Sequence, residues 1–479
     1  MIARRFTLPL VLALGCLTIS QAEAAKVFKA GAVAQDITPT KFPVDVNGGM
    51  SNRTATAAHD RMHARCLVLD DGTTKLAFAV CDSCLMPRFI MDQAKKIASK
   101  ETGIPTSHIL ISATHTHSAP AVTAAFQTDP DENYVKEVPA MIAAGIINAN
   151  KRLAPAQVGW GVGEDPTQVF NRRWYMKEGT VPVNAFGTFD DKVKMNPPAA
   201  SPNLIKSAGP TDPEVSLLAV RSPDGKPMAV LTNYSLHYVG GTSGGLSADY
   251  FAVYADRLGQ LLDADKEFVG IMSNGTSGDI NNIDFSKPRV RQQPFEQIRV
   301  VADSVARVAY DTYQQIEFRD WVSLDARQKE ISGGVRKANK KELAKARELL
   351  KNKKEGERMK TLQEIYAREA IKLADYPDEV DFILQAFRVG ELGIASIPCE
   401  TFVEIGLAIK EESPFKPTFV VSLANGYNGY LPTRKHHGLK GYETWRARSS
   451  YLEVDVAEKI EKTLLTLLDE LATAQKGAK

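Results

Sequence analysis

Short apolar runs alternate with stretches of helical periodicity along most of this chain. Residues 65–70 and 75–82 are predicted to be strands, because Asp71-Gly72 between them is a typical hairpin turn. A helix is predicted over about 87–101, followed by a buried strand that begins at Ser107. Further strands are predicted at 157–163, 215–221, 227–234, 268–273, 382–388, 392–397 and 418–423. Because helical stretches separate these strands, the pattern predicts an α/β fold, and we see no internal repeat in the sequence.

The segments between these elements differ in composition. Residues 43–63 are rich in Gly and Asn and are predicted to form a loop, and helical periodicity follows over 126–153. A long Pro-, Asn- and Gly-rich region runs from Asn171 to about 212, which is typical of either a substrate-facing lid or an ordered surface loop. Residues 336–372 change abruptly to Lys, Arg and Glu with apolar residues at helical spacing. They predict a helical hairpin whose charge is its solvated face, with a partner or membrane contact as the alternative.

Polar side chains recur where the predicted strands end. The buried strand that begins at Ser107 leads into His115 and His117, which share a face if the extended form persists. His237 and Glu400 each follow a strand in the same way, and tyrosines follow the strand at 418–423. Two histidines and one carboxylate are a common catalytic zinc set with an open position for water. The alternative is that these histidines make ordinary hydrogen bonds.

Composition narrows the class of protein and its location. The 479 residues are 44% hydrophobic with a formal net charge of +2, which indicates a globular protein and argues against nucleic-acid binding. Arg4 and Arg5 precede an apolar run, and Ala22-Glu23-Ala24 offers a cleavage site, so residues 1–24 are predicted to be a signal peptide. We therefore expect export to the periplasm or the medium. Lipid anchoring through Cys16 is the weaker interpretation, and Cys81 and Cys84 are interpreted as structural or free thiols.

An ordered set of short motifs resembles the neutral, non-lysosomal ceramidase family. The resemblance extends from about residue 28 to about 470 and therefore covers nearly all of the mature chain. The motifs are Thr114-His115-Thr116-His117-Ser118-Ala119-Pro120, Asn171-Arg172, Leu236-His237, Ser277-Gly278-Asp279, Ile397-Pro398-Cys399-Glu400, Tyr427 with Tyr430, and Tyr442-Glu443.

The resemblance implies a fold, a metal and a reaction. It implies mixed β-sheets flanked by helices over residues 25–479 as one catalytic domain, with 336–372 as a helical hairpin insertion. Ceramidases carry an additional C-terminal immunoglobulin-like domain, and here the sequence departs from the family, because we expect no such domain after residue 479. Members cleave the N-acyl amide of ceramide, so the implied reaction is attack of zinc-activated water on a small-molecule or lipid amide. The implied zinc ligands are His115, His237, Glu400 and Tyr430.

The same resemblance implies further site residues. His117 and Arg172 would contact the substrate amide or the developing oxyanion, and Tyr442 would line the same site. Asn281 stands where the family carries a serine, and an amide cannot act as an alkoxide nucleophile. Either zinc-activated water then attacks directly, or the substrate differs.

Several alternatives stay open at this point. The same zinc scaffold could act on a non-lipid substrate such as a polar amide, an ester or a glycoconjugate. The side chains that would suit a hydrophilic ligand are Asn281, Arg172, Arg173, Asn282 and Asp284. A catalytically silent binding protein is a third possibility. The sequence decides neither between Tyr427 and Tyr430 as the metal ligand nor the oligomeric state, and peripheral membrane contact remains an alternative.

Overall fold

The structure is a computed structural model that describes residue 2 and residues 26–354 and 356–477. The remainder of the predicted signal peptide, with Cys16, lies outside the described residues. Among the described helices, none combines the length and apolar content that crossing a bilayer requires.

Helices and strands alternate along the described chain, as the sequence pattern predicts. The helices are α1 (Arg88–Thr102), α2 (Glu132–Lys151), α3 (Asp249–Leu261), α4 (Glu296–Gln314), α5 (Lys340–Leu350), α6 (Leu362–Ala374), α7 (Val403–Glu412), α8 (Arg434–Leu439) and α9 (Val456–Gly477). The first strands are β1 (Lys29–Asp36), β2 (Val44–Val46), β3 (Arg53–Ala55), β4 (His63–Asp70), β5 (Lys75–Cys81), β6 (Ile109–Ala113), β7 (Ala154–Pro155), β8 (Gln157–Glu164), β9 (Phe170–Asn171), β10 (Arg173–Met176) and β11 (Val193–Met195). The remaining strands are β12 (Leu204–Ser207), β13 (Glu214–Arg221), β14 (Pro227–Tyr234), β15 (Val269–Asn274), β16 (Ile280–Asn281), β17 (Leu324–Gly334), β18 (Glu379–Val389), β19 (Leu392–Ser396), β20 (Glu400–Thr401), β21 (Thr418–Val421) and β22 (Tyr430–Leu431).

Three larger sheets repeat one strand order. They run β1-β4-β5-β6, with β7 added beside β1, then β8-β13-β14-β15, and then β17-β18-β19-β21. In each sheet an antiparallel hairpin is followed by a helix and by a strand parallel to the second hairpin strand, as in β5 with β6, β14 with β15 and β19 with β21. The repeat that is invisible in the sequence is therefore present in the topology, because strand order depends on apolar patterning and not on identical residues.

The three sheets enclose a shared inner core, and helices cover their outer faces. Leu67, Leu218 and Phe387 each belong to a different sheet and lie in one buried cluster. On β6, Leu110 faces this inner cluster while Ile109 and Ile111 face the cluster formed with α1 and α2, as strand alternation requires. Residues of α3 and α4 cover the second sheet, and residues of α7 and α9 cover the third.

The last strands of the three sheets meet at their carboxyl ends. The Ala113 amide donates to the Leu423 carbonyl at 3.1 Å, and the Ser422 amide donates to the Asn274 carbonyl at 2.9 Å. The loops that follow these strands are thus brought to one place, the usual position for a ligand site in an open α/β sheet.

Two segments predicted to be loops contain short strands. Residues 43–63 include the β2–β3 pair, and residues 171–212 include the three-stranded sheet β11-β10-β12. The helix predicted from residue 126 begins only at Glu132, because Phe126 has a φ of 48° and Asp131 caps the helix. These pairings are too short to leave a periodic signal in the sequence.

The charged segment forms the predicted helical hairpin. α5 and α6 both begin with a capping box, Asn339 with Glu342 and Thr361 with Glu364, and the two helices pack against each other. The hairpin packs through Tyr366 and Met359 on a cluster that also holds Tyr442 and Trp445, near the loops at the strand ends.

Candidate metal centre

His115 and His117 follow β6, but the strand does not continue through them. β6 ends at Ala113, and His115 adopts a left-handed backbone with a φ of 74°. The expectation of an extended strand to His117 is therefore wrong, yet the Nε2 atoms of the two imidazoles still lie 3.2 Å apart. The positive φ turns the chain, so both rings point to the same place without sharing a strand face.

Neighbouring groups fix the orientation of both rings. His115 Nδ1 lies 2.8 Å from the Cys84 carbonyl oxygen, which leaves Nε2 directed away from that loop. The ring of Tyr238 stacks on His117 with centroids 3.6 Å apart. On the other side, a Cβ at Gly48 would lie 2.5 Å from the His117 side chain, so only glycine allows this approach. The sequence analysis did not identify Tyr238 or Gly48.

His237 reaches the same point from the second sheet. It follows β14, and its Nδ1 lies 3.0 Å from the Ser277 carbonyl oxygen. Its Nε2 is 3.0 Å from Nε2 of His115. When both Nδ1 atoms donate to carbonyl oxygens, two Nε2 lone pairs face each other, and this arrangement is stable only with a shared proton or a cation between them.

Glu400 lies in the short strand β20, just after β19 of the third sheet. The two-residue strand β20 pairs in parallel with β22, which places Glu400 beside Tyr430. Its Oε2 lies 3.2 Å from His115 Nε2 and 3.8 Å from His237 Nε2. Its Oε1 accepts a hydrogen bond of 2.9 Å from the Tyr427 hydroxyl. The segments that follow β6, β14 and β19, one strand from each larger sheet, therefore bring one donor group each to a single point.

Arg172 approaches this point through the Tyr430 hydroxyl. Its Nη2 donates to that oxygen at 3.1 Å and to the Gly278 carbonyl at 2.7 Å, while its Nε donates to Glu443 at 3.2 Å. The other oxygen of Glu443 accepts from Arg173 at 3.1 Å. Glu443 and Arg173 are fully buried, so Arg173 holds the site together and does not face a ligand.

The electrostatic environment where His115, His237 and Glu400 meet favours a single positive charge. Burial opposes protonation of His115, but the Glu400 carboxylate outweighs it and raises the pKa of His115 to about 10. Burial lowers the pKa of His117 and of His237 well below the ordinary value, and neighbouring cationic groups lower it further. The site therefore accepts one cation while its other imidazoles stay neutral.

The donor set fits a divalent metal ion. Metal-ligating atoms of His115, His237 and Glu400 all lie within 4.8 Å of one another. Tetrahedral zinc with bonds of about 2.0–2.1 Å needs donors roughly 3.3 Å apart, close to the separations seen here. The buried Oε2 of Glu400 has no hydrogen-bond partner, which is the state expected of an oxygen reserved for a cation.

A second group of potential ligands shares His115. Cys84, His115 and His117 also bring ligating atoms together, but the Cys84 sulfur is 4.0 Å from Nδ1 of His115. That nitrogen is hydrogen-bonded to the Cys84 carbonyl oxygen, and it lies on the other side of the imidazole ring from Nε2, the atom that faces Glu400. The group with His237 and Glu400 leaves these hydrogen bonds intact, and it is the better cation site.

A small cavity of about 50 Å³ opens onto these groups. It has room for a few water molecules or for one planar reacting group. Both Tyr427 and Tyr430 face it, so the structure leaves the choice between the two tyrosines open. Its lining is Gly48, Gly49, Cys84, Leu85, His115, His117, Ala125, Phe126, Glu400, Tyr427, Tyr430, Tyr442 and Ser449.

Asn281 is not among the described residues that line the cavity. Its amide donates to Asn196 at 3.0 Å, and its oxygen accepts from the Ile283 amide at 2.9 Å. Asp284, another residue considered for a hydrophilic ligand, pairs with Lys287 at 2.9 Å. The side chain at position 281 therefore stabilises its own turn. Cys66, Cys81, Cys84 and Cys399 are buried free thiols, which agrees with their interpretation as structural or free.

Comparison with solved structures identifies the architecture. A ceramidase complexed with C2 superposes with a TM-score of 0.69 at 17% identity, covering 94% of this chain and 76% of the other. Neutral ceramidase from Pseudomonas aeruginosa gives a TM-score of 0.68 at 17% identity, covering 93% and 74%.

The chain has the neutral ceramidase fold. This confirms the fold class expected from the sequence, with mixed sheets flanked by helices. At 17% identity the likeness concerns architecture, and the activity of this chain is a separate question. No protein-family model matches the sequence, and the search of curated proteins gives no match.

Proposed function

We propose that this protein is a zinc-dependent hydrolase of the ceramidase type that cleaves an N-acyl amide bond. The observation that carries the proposal is the meeting of three imidazole Nε2 atoms and one carboxylate oxygen beside a small cavity, which His115, His117 and Glu400 line. The same cavity exposes tyrosines, and an arginine lies behind one of them, which is a donor set suited to an amide carbonyl.

His115, His237 and Glu400 would hold the ion, with Tyr430 or Tyr427 as a fourth contact. A zinc ion bound there supplies polarisation of a carbonyl and activation of water. Since guanidinium and phenol donors need no metal, a role for Arg172 and Tyr430 follows from their own geometry. The Tyr430 hydroxyl oxygen already accepts from Arg172, so its own proton points elsewhere and can be donated to Glu400 or to a developing oxyanion.

His117 is the residue best placed to move a proton. It lines the cavity, and burial keeps its imidazole neutral and therefore able to accept a proton. Its Nδ1 has no hydrogen-bond partner, unlike Nδ1 of His115 and of His237. We assign it the transfer of a proton to the leaving amine, while Asn281 takes no part in the reaction.

The test is hydrolysis of a fluorescent N-acyl sphingosine by the mature protein, with and without a chelator and zinc addition. His115→Ala should abolish both turnover and retention of zinc. His108→Ala is the matched control, because His108 lies at the entry to β6, at the opposite end of that strand from His115, and its Nδ1 is 3.2 Å from the Lys75 carbonyl oxygen. Turnover that survives the chelator, or zinc retained by His115→Ala, would refute the metal assignment, and ligand binding without turnover would favour a silent binding protein.

Export is part of the proposal and rests on residues 1–24 alone. Sequencing the amino terminus of the protein recovered from the periplasm should show that it begins near Ala25. A cytoplasmic protein that keeps Met1 would refute it.

A further inference from the structure

The metal cavity is too small to hold a complete substrate. Its volume of about 50 Å³ compares with roughly 300–1,000 Å³ for typical ligand pockets. It accommodates the reacting group only. The rest of a substrate must therefore lie along the surface that continues from the cavity.

The segments that line the cavity lead directly into a larger groove. Gly48, Gly49 and Phe126 face the cavity, while Asn52 and Gln127, only a few residues away, face a groove of about 800 Å³. The opposite wall of this groove is the α5–α6 hairpin. Its lining is Asn52, Gln127, Asp129, Leu350, Lys353, Lys354, Gly356, Glu357, Arg358, Met359, Arg368, Ile371 and Lys372.

Hydrogen bonds fasten the hairpin to the cavity wall. The Met359 amide donates to the Gln127 side-chain oxygen at 2.7 Å, and the Gln127 side-chain nitrogen donates to the Met359 carbonyl at 3.3 Å. Arg368 and Arg448 both donate to the Phe126 carbonyl oxygen. Arg448 is in turn held by Glu369 of α6 at 2.7 Å. Cavity and groove thus share the Phe126–Gln127 wall.

The groove is polar and carries excess positive charge. Among the described residues, five basic side chains line it against two acidic ones, and only three of these lining residues are apolar. Lys353 is neutralised by Glu357 and Glu364. In contrast, no carboxylate of the described residues lies within ion-pair distance of Arg358 or Lys372, both of which are exposed. Such a surface suits an anion and offers little to an alkyl chain.

We infer that this groove binds an anionic group of the substrate, a phosphate or a carboxylate carried on the part of the molecule beyond the scissile amide. The inference rests on the proposed function and narrows its substrate class from neutral ceramides to anionic N-acyl amides. Arg358 and Lys372 are the specificity-determining residues. The α5–α6 hairpin holds them in the groove beside the metal cavity.

The test measures binding and hydrolysis separately with matched pairs of small molecules. N-decanoylethanolamine is compared with its O-phosphate, and N-decanoylglycinamide with N-decanoylglycine, by calorimetric titration. The test variant is Arg358→Gln/Lys372→Gln. The control is Lys341→Gln/Arg347→Gln, which removes the same charges from exposed positions of α5 outside the groove.

We expect each anionic ligand to bind about tenfold more tightly than its uncharged partner, and the groove variant to reduce that ratio about three- to tenfold. The preference should also weaken at high salt, while the control keeps it. Equal binding of the two members, or an equal effect of the control, would overturn the inference. The inference would also be overturned if the groove variant kept its preference for the anionic ligands and lost only its sedimentation with phosphatidylglycerol vesicles, because the groove would then face a membrane. If the protein prefers the anionic ligands but shows no chelator-sensitive hydrolysis, the proposed function is refuted, while the inference that the groove binds an anionic group is retained.

Discussion

Gly278 should be one of the least replaceable residues near the metal centre. A Cβ added there would lie 2.5 Å from the Glu400 carbonyl oxygen and 3.0 Å from the Glu400 carbonyl carbon. These are backbone atoms, so no side chain can rotate away to make room. The Gly278 amide also donates to the Thr401 carbonyl at 2.8 Å, which ties the two segments together.

The size of the effect follows from this contact. Heavy atoms prefer roughly 3.5–4.0 Å, so Gly278→Ala must push the Glu400 backbone away by about 1 Å. Overpacking of this kind costs about 1–3 kcal/mol of unfolding free energy. Since Glu400 Oε2 lies 3.2 Å from His115 Nε2, the same shift widens the donor set. A misplacement of about 1 Å in a catalytic constellation reduces the rate roughly a hundredfold.

Three measurements on Gly278→Ala check this reasoning. Urea denaturation gives the free energy of unfolding, metal analysis gives the zinc content, and kcat/KM is measured on the best amide substrate. Gly438→Ala is the matched control, because Gly438 lies in α8 with nothing within 4 Å of an added Cβ. It should be neutral or slightly stabilising. A Gly278→Ala protein that binds zinc and turns over like the parent would refute the packing argument.

Three further predictions concern burial, protonation and metal. Glu443→Gln should cost about 3–5 kcal/mol of unfolding free energy, because it leaves the buried Arg172 and Arg173 without their carboxylate. The control is Asp303→Asn, which breaks an exposed ion pair with Arg307 and should cost about 1 kcal/mol or less in the same urea denaturation. Burial lowers the pKa of Lys95 to about 7, below its ordinary value of 10.5, so the unfolded chain holds a proton that the folded chain lacks between these values. Stability should therefore rise with pH across that window, and Lys95→Met should remove the rise when denaturation is repeated at several pH values. Removing zinc with a chelator should lower the unfolding free energy by about 2.7 kcal/mol if the ion was present at a hundred times its Kd, and His115→Ala should show no such response.

Much of the fold follows from the pattern of apolar residues. The hairpin of β4 and β5, the helix α1, and the charged pair α5 and α6 all lie where periodicity and turn residues predict them. The strands β9 to β12 were not predicted, because two to four residues carry no measurable period. The repeated sheet order also stayed hidden, since it is a property of pairing between strands.

The candidate site divides in the same way. Its donor groups were predictable because each follows an apolar strand, and strand ends in α/β folds meet at one edge. What the sequence could not supply is the geometry around them. The left-handed turn at His115, the stacking of Tyr238 and the burial of Arg173 depend on neighbours distant in the chain.

The recurrence of one strand order in three sheets bears on how the protein assembles. Each hairpin-helix-strand unit is continuous in sequence, at residues 63–113, 214–274 and 379–421, so each sheet forms largely from contacts between residues near one another in the chain. His115 follows the first unit, while His237 and Glu400 lie in the second and third, and their donor atoms meet only when all three units have docked. The rate at which metal binding recovers during refolding therefore reports the last docking step. We expect metal binding to recover more slowly than secondary structure.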